Sequence, residues 1–284
     1  MSDAARNVAT LLVLASVCLW MPLLLRTIPV RADRERVLRR AAARLHGPAA
    51  LCLCAAFVAP EGHTAALLAL PWLLATALLA AAGAVRGLRS LRDLAALTEA
   101  AALCYPCVGA AWALCSRAGI QPLGFPPAIV LLTAAHFHHA GFTLPLAAAA
   151  LLRLVPGPAA RTAAGVAIAG MPVVAAGITA TQLGAPPWLE ATAATATAAA
   201  AWLTATLLLG RTLVPGTSRA QRAGAGLAGG ALLASMTLAI AYALRTPLEF
   251  EALADLDAMV FAHGALNGVL LAAGALLLRA APRA

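Results

Sequence analysis

Three of the chain's six histidines, His136, His138 and His139, fall within four consecutive positions. They lie in an apolar stretch long enough to cross a lipid bilayer. An imidazole in hydrocarbon loses its hydration and needs a hydrogen-bond partner, a metal ion or a water-filled cavity. The cluster is therefore the strongest indication of a functional site in this sequence.

Helical geometry limits what these histidines can do together. His136 and His139 share a face, whereas the His136 and His138 side chains point about 200° apart. A regular helix could therefore offer only His136 and His139 to one metal ion. Zinc, iron, copper and manganese accept imidazole and carboxylate ligands, but the His-Phe-His-His spacing matches no recognised motif for them. The residues allow a metal, and the sequence requires no cofactor.

Other polar side chains also lie within apolar segments. His263 and Asn267 are four residues apart near the end of the chain, so that both side chains fall on one helix face. We expect a site shared between the fifth and ninth predicted spans, built on His136 or His138 with His263 and Asn267. The candidate catalytic residues are His136, His138, His263, Asn267, Glu99 and Glu190.

The two glutamates differ in predicted depth. Glu190 lies at the start of the seventh span, on the same side of the membrane as the histidines, and could share a cavity with them. Glu99 lies one turn into the fourth span from the opposite side, where arginines are available. It is either a packed carboxylate paired with an arginine or a proton-handling group.

The composition indicates a membrane protein. Of the 284 residues, 62% are hydrophobic and 11% are charged, against about 45–50% and about 25% in soluble domains. We expect an all-α polytopic bundle forming one integral domain over residues 1–284, with the first apolar run as a helix and not a cleaved signal. The predicted spans are 8–26, 43–60, 64–85, 95–116, 126–151, 162–183, 188–210, 222–243 and 257–278.

All 20 basic residues are arginines, and their distribution predicts an orientation. The loops on one side, with the C-terminus, hold 17 of them: Arg26, Arg31, Arg34, Arg36, Arg39, Arg40, Arg44, Arg86, Arg89, Arg92, Arg153, Arg161, Arg211, Arg219, Arg222, Arg279 and Arg283. The positive-inside rule makes this side cytoplasmic, with the N-terminus outside. The run from Arg31 to Arg44 is interpreted as a topology anchor beside anionic lipid headgroups. This placement does not indicate nucleic-acid binding.

Two blocks resemble the YndJ-like family of bacterial multi-pass membrane proteins. The first contains Thr98-Glu99, Tyr105-Pro106, Pro122-Leu-Gly-Phe125 and His136-Phe-His138-x-Ala-Gly-Phe142. The second is Ala262-His263-Gly264-x-x-Asn267-Gly268. His139 stands where the family often has an aromatic residue, so the resemblance favours His136, His138 and His263. It implies a site in a bacterial cell membrane and names no substrate.

Three functions fit these residues. The first is a membrane-embedded enzyme performing acid–base chemistry, such as isomerisation or cyclisation, on a lipophilic or small substrate that enters from the bilayer. The second is a transporter for a small solute or protons, with the same groups as binding and relay sites. The third is a structural membrane protein whose polar groups lock helix packing.

Overall fold

The computed structural model describes residues 1–249 and 255–280, so Arg283 lies outside the described residues. Within these ranges, nine helices are long and apolar enough to cross a membrane. They are α1 (Asp3–Leu25), α2 (Asp33–Val58), α3 (His63–Arg89), α4 (Leu94–Ala118), α5 (Pro127–Leu154), α6 (Pro158–Gln182), α7 (Trp188–Thr212), α8 (Arg219–Leu244) and α9 (Leu256–Ala280). The predicted all-α architecture is confirmed, and the number of helices of membrane-spanning length agrees with the nine predicted spans.

Local sequence signals set several helix boundaries. The Asp93 side chain caps α4 by accepting a hydrogen bond from the Ala96 backbone N–H at 3.0 Å. The same helix ends at Gly119, whose φ of 71° is a left-handed conformation that favours glycine. A capping box formed by Ser218 and Gln221 begins α8. These short polar or glycine sequences mark where one apolar helix ends and the next begins, which amino-acid composition alone does not show.

The main boundary difference is at α2, which begins at Asp33 and not near residue 43. Asp33 and Glu35 occupy its first turn, where negative charge is favourable beside the helix N-terminus. Most of the arginine run therefore lies on a helix and not in a loop. Hydropathy placed the boundary too late because the first turns of α2 carry charged side chains.

Contacts divide the chain into two compact units. One comprises Ala9–Phe142, and the other comprises Met1–Val8 with Thr143–Ala284. We call them the first and second units. The expectation of a single membrane domain stays a prediction.

Helices that are consecutive in sequence pack together within the first unit. Helix α2 packs against α3, and α3 packs against α4. Helix α1 is π-helical over Ser16–Trp20, and this segment contacts α2. A π-helical turn changes the backbone hydrogen-bond register within an α-helix and frequently occurs at functional sites.

The second unit is built in the same way. Helix α6 packs on α7, α7 on α8, and α8 on α9. Helix α9 is π-helical over Met259–Gly264 and Leu266–Leu271. Small residues allow α8 and α9 to approach closely, because a Cβ atom built on Gly224 would lie 2.8 Å from the Gly274 carbonyl oxygen.

We expect Gly224→Ala to lower the melting temperature of the detergent-purified protein. The added methyl group would press on the α9 backbone, and overpacking of this kind costs about 1–3 kcal/mol. Gly230→Ala on the same helix is the matched control, since no atom of the described residues lies within 4 Å of a Cβ atom built there. An equal loss of thermal stability in both variants would contradict close α8–α9 packing.

Candidate functional site

His138 is completely buried within the first unit, and both of its ring nitrogens are engaged. Its Nε2 accepts a hydrogen bond from the Trp72 indole N–H at 2.9 Å. Its Nδ1 donates to the Ala134 carbonyl, one turn earlier on α5, at 2.8 Å. These roles describe a neutral imidazole, with its proton on Nδ1, held in one orientation by α3 and by its own helix.

The close fit around His138 extends to α4. A Cβ atom built on Gly109 would lie 2.6 Å from His138 Nδ1, so only glycine fits at this position. The Ser16 hydroxyl also donates to the His138 backbone carbonyl at 2.7 Å. The side chain and backbone of His138 therefore contact three other helices of the first unit, α1, α3 and α4.

Two other histidines donate to carbonyl groups of α1. His139 is buried, and its Nε2 donates to the Leu12 carbonyl at 2.5 Å. His46 on α2 donates from Nε2 to the Val17 carbonyl at 2.9 Å. Val17 lies in the π-helical segment. Histidines on α2 and α5 thus bond to α1 carbonyl groups, one within the π-helical segment and one a turn before it.

His136 lies on the other side of α5, and its side chain is exposed. This arrangement agrees with the angle of about 200° expected between His136 and His138. The structure therefore separates the triple histidine into one exposed and two buried side chains. Whether His136 or His138 shares a site with His263 and Asn267 stays a prediction.

In the second unit, His263 and Asn267 form a small network with Ser235 of α8. His263 Nδ1 donates to the Ser235 carbonyl at 2.9 Å. The Ser235 hydroxyl donates to Asn267 Oδ1 at 3.3 Å, and Asn267 Nδ2 donates to the His263 carbonyl at 3.0 Å. Ser235 thus bonds to both residues and connects α8 with α9, and the role of His263 and Asn267 in a functional site stays a prediction.

Glu190 occupies the first turn of α7 and is half-buried. Its Cα lies 3.2 Å from a Cβ atom built on Gly177, at the contact between α6 and α7. Within residues 1–249 and 255–280, Glu190 forms no ion pair. Its catalytic role stays a prediction.

The most strongly charged buried group lies at one end of α2, α3 and α4. Arg86 donates from Nη1 to Glu99 Oε2 at 2.7 Å and from Nη2 to Glu35 Oε1 at 2.6 Å. The side chains of all three residues are completely buried. Glu99 is thus paired with an arginine, which is one of its two predicted roles. We call Glu35, Arg86 and Glu99 the charged triad.

Helix ends position the triad. Glu35 lies in the first turn of α2, Arg86 in the last turn of α3, and Glu99 two turns into α4. The negative charge in the first turn of α2 and the positive charge in the last turn of α3 both complement the helix dipoles. The ion pairs therefore join helix ends where their charges are already favourable.

Further bonds attach the loop between α1 and α2 to the triad. Arg86 Nη2 also donates to the Pro29 carbonyl. The Arg31 backbone N–H donates to Glu35 Oε2 at 3.1 Å, and its guanidinium pairs with Asp93 at 2.5 Å. Arg39 donates to two carbonyl groups of this region, those of Leu25 and Ile28. The arginine run thus makes specific contacts besides its predicted role as a topology anchor.

A cleft of about 430 Å³ opens beside the triad. Its lining residues are Arg31, Ala32, Glu35, Arg86, Arg89 and Ser90. We call it the arginine cleft. Among the described residues, no group of three or more histidine, cysteine or acidic side chains could hold a metal ion.

Sequence reasoning missed Glu35, Arg86 and Trp72. The signal for Glu35 was present, since two acidic residues before a basic run mark a helix start. Arg86 and Trp72 carried no such signal, because pairing with Glu99 and His138 depends on how the helices pack. The structure thus adds to the candidate site one charged cluster that the hydrophobic periodicity of the sequence did not indicate.

We expect His138→Ala to destabilise the protein, because it leaves the buried Trp72 indole N–H without its acceptor. An unsatisfied buried donor costs about 1–3 kcal/mol. His136→Ala, at an exposed position on the same helix, is the matched control and should change the melting temperature little. A double-mutant cycle with Trp72→Phe should show coupling between positions 72 and 138. Purely additive effects would contradict the hydrogen bond.

Comparison with known proteins identifies the family. Neither the curated proteins nor the solved structures that were searched gave a match to this chain. The profile of the YndJ-like protein family matches residues 10–271. That segment includes the histidine block, the charged triad and the His263–Asn267 pair. The chain belongs to the YndJ-like family.

Proposed function

We propose that the chain is a multi-pass protein of the bacterial cytoplasmic membrane that performs acid–base chemistry on an amphiphilic substrate. In this proposal the Glu35 carboxylate exchanges a proton with the substrate, and Arg86, which the buried Glu99 also holds, fixes its orientation. The reaction class is that of an isomerase or cyclase. His138, His139 and His263 hold the helices that surround the site.

The observation that carries the proposal is the position of the charged triad. Charged side chains buried among membrane helices are expensive and usually functional. Glu35 lines the arginine cleft, so a ligand there would lie beside a buried carboxylate. Carboxylates are suitable general bases and acids when a second group orients them. Glu99 adds a second carboxylate on the same guanidinium.

The arginine distribution supports the location and orientation. Arg31, Arg86 and Arg89 lie near the ends of α2 and α3 that face the predicted cytoplasm. With α1 crossing outside to inside, nine spans leave the C-terminus in the cytoplasm. The arginine cleft then opens at the cytoplasmic headgroup level.

Transport is a second candidate, and the π-helical segments favour it. Irregular helices within the membrane often line transport sites, because their displaced carbonyl groups can bind ions. Helix α1 is irregular at Ser16–Trp20, and α9 is irregular at Met259–Gly264. A transporter would carry protons or solute across sealed proteoliposomes, whereas the enzyme would give a chemical product without a gradient.

We expect Glu35→Gln and Glu99→Gln to abolish the activity, because each keeps the side-chain shape and removes a proton-accepting charge. The measurement compares lipid and metabolite extracts, by untargeted mass spectrometry, from a deletion strain carrying the wild-type or a variant gene. Glu61→Gln is the matched control. Glu61 is half-exposed and pairs with Arg117 at 3.4 Å, away from the triad.

Two results would contradict this function. One is a wild-type profile that does not differ from that of the empty strain. The other is an unchanged profile in both Glu35→Gln and Glu99→Gln at normal protein levels. Loss of the profile in Glu61→Gln at normal protein levels would show that the assay does not report on the triad.

The orientation has its own test. Fluorescent protein fused to the C-terminus should fluoresce in bacterial cells, since that reporter folds only on the cytoplasmic side. Alkaline phosphatase fused at the same position should be inactive. The opposite pattern would reverse the proposed topology and place the arginine cleft outside the cell.

A further inference from the structure

The arginine cleft combines cationic side chains with one buried hydrogen-bond donor that has no partner among the described residues. Its volume of about 430 Å³ falls within the usual range for small-ligand pockets. Arg86 is almost completely buried, and in the described part of the chain its Nε atom has no hydrogen-bond partner. A buried guanidinium donor without an acceptor is unusual, and it indicates a place for an anionic group.

With Arg39, which pairs with Glu35 at 3.6 Å, four arginines and three carboxylates lie around the cleft. Arg86 is paired with Glu35 and Glu99, and Arg31 is paired with Asp93. Arg89 lines the same cleft, is exposed, and forms no ion pair with any described residue. One cation of the lining is thus available to a ligand.

Backbone geometry adds to this positive potential. Ala32 lines the cleft and is the N-cap residue of α2, and its methyl side chain cannot cap that helix end. The N-terminus of a helix carries free N–H groups and a partial positive charge, both of which favour phosphate. Guanidinium groups bind phosphate through two parallel N–H···O bonds. The Ser90 hydroxyl supplies one more donor to the lining.

An apolar surface adjoins the cationic one. A second cavity of about 390 Å³ shares Arg31, Arg89 and Ser90 with the cleft and is also lined by Leu88 and Leu91. Both leucines are largely exposed, at 75% and 69%. Acyl or prenyl chains could lie against these leucines while a charged head occupies the cleft. This pairing fits an amphiphile better than a free anion.

From these contacts we propose that the arginine cleft binds the phosphate group of a lipid-like amphiphile. The inference rests on the proposed function, because it names the chemical class of the substrate that Glu35, held through Arg86 by Glu99, would act upon. Arg89 would bind the phosphate directly, and Arg86 would contribute its Nε–H. Leu88 and Leu91 would contact the apolar chain.

Binding of short-chain lipids to the detergent-purified full chain tests this inference. The probes are dihexanoyl phosphatidic acid, dihexanoylglycerol as its uncharged match, and inorganic phosphate, each measured by native mass spectrometry. We expect one phosphatidic acid to bind per chain and no dihexanoylglycerol. Arg89→Gln should weaken phosphatidic acid binding at least tenfold. Arg44→Gln, at an exposed arginine outside the cleft, should leave it unchanged.

Each alternative result overturns part or all of the inference. Equal weakening of phosphatidic acid binding by Arg89→Gln and Arg44→Gln would indicate general attraction to surface charge. Absence of phosphatidic acid binding to the wild-type protein would exclude the site. Inorganic phosphate binding as tightly as phosphatidic acid, with the same dependence on Arg89, would make free phosphate the ligand and overturn the amphiphile. Retained phosphatidic acid binding with no activity dependence on Glu35 or Glu99 would contradict the proposed reaction alone.

Discussion

The cost of burying a guanidinium away from water governs how α2, α3 and α4 meet. Leaving a buried charge without its partner costs about 3–5 kcal/mol, so Arg86 and the two buried carboxylates of Glu35 and Glu99 must lie together. Those carboxylates come from α2 and α4, and Arg86 comes from α3 between them. The same contacts attach the loop after α1. The position of the arginine cleft therefore follows from one electrostatic requirement.

A second constraint acts on the backbone. In an apolar environment every carbonyl group needs a donor, and an irregular helix changes which carbonyls its own amides can reach. The α1 carbonyls of Leu12 and Val17 accept hydrogen bonds from His139 and His46. In the second unit the donor is on the irregular helix, where His263 donates to the Ser235 carbonyl of α8. Such contacts explain why these polar side chains occur in apolar helices, since each one bonds to a neighbouring helix. The histidines thus contribute to helix packing, which is a different role from that of the charged cleft.

The match to the YndJ-like family runs over residues 10–271 and therefore includes both the charged triad and these histidines. A shared fold does not by itself define a reaction, which depends on the geometry of particular side chains. Here the cleft joins a buried carboxylate, the Arg89 guanidinium, which forms no ion pair with a described residue, and an adjoining apolar surface. That combination suits a molecule with a charged head and an apolar body.

Hydropathy and the spacing of glycine and proline determined the all-α class and the nine spans, because each apolar segment must by itself be long enough to cross a bilayer. The same patterns identified Glu99 and the His263–Asn267 pair as polar groups that need partners. The start of α2 was misplaced, since its charged first turns resemble a loop in composition. Only the tertiary structure decided that Arg86 joins Glu35 to Glu99 and that Trp72 binds His138. These partners lie on different helices and meet only when the helices pack. The hydrophobic periodicity of a single segment carries no information about that packing.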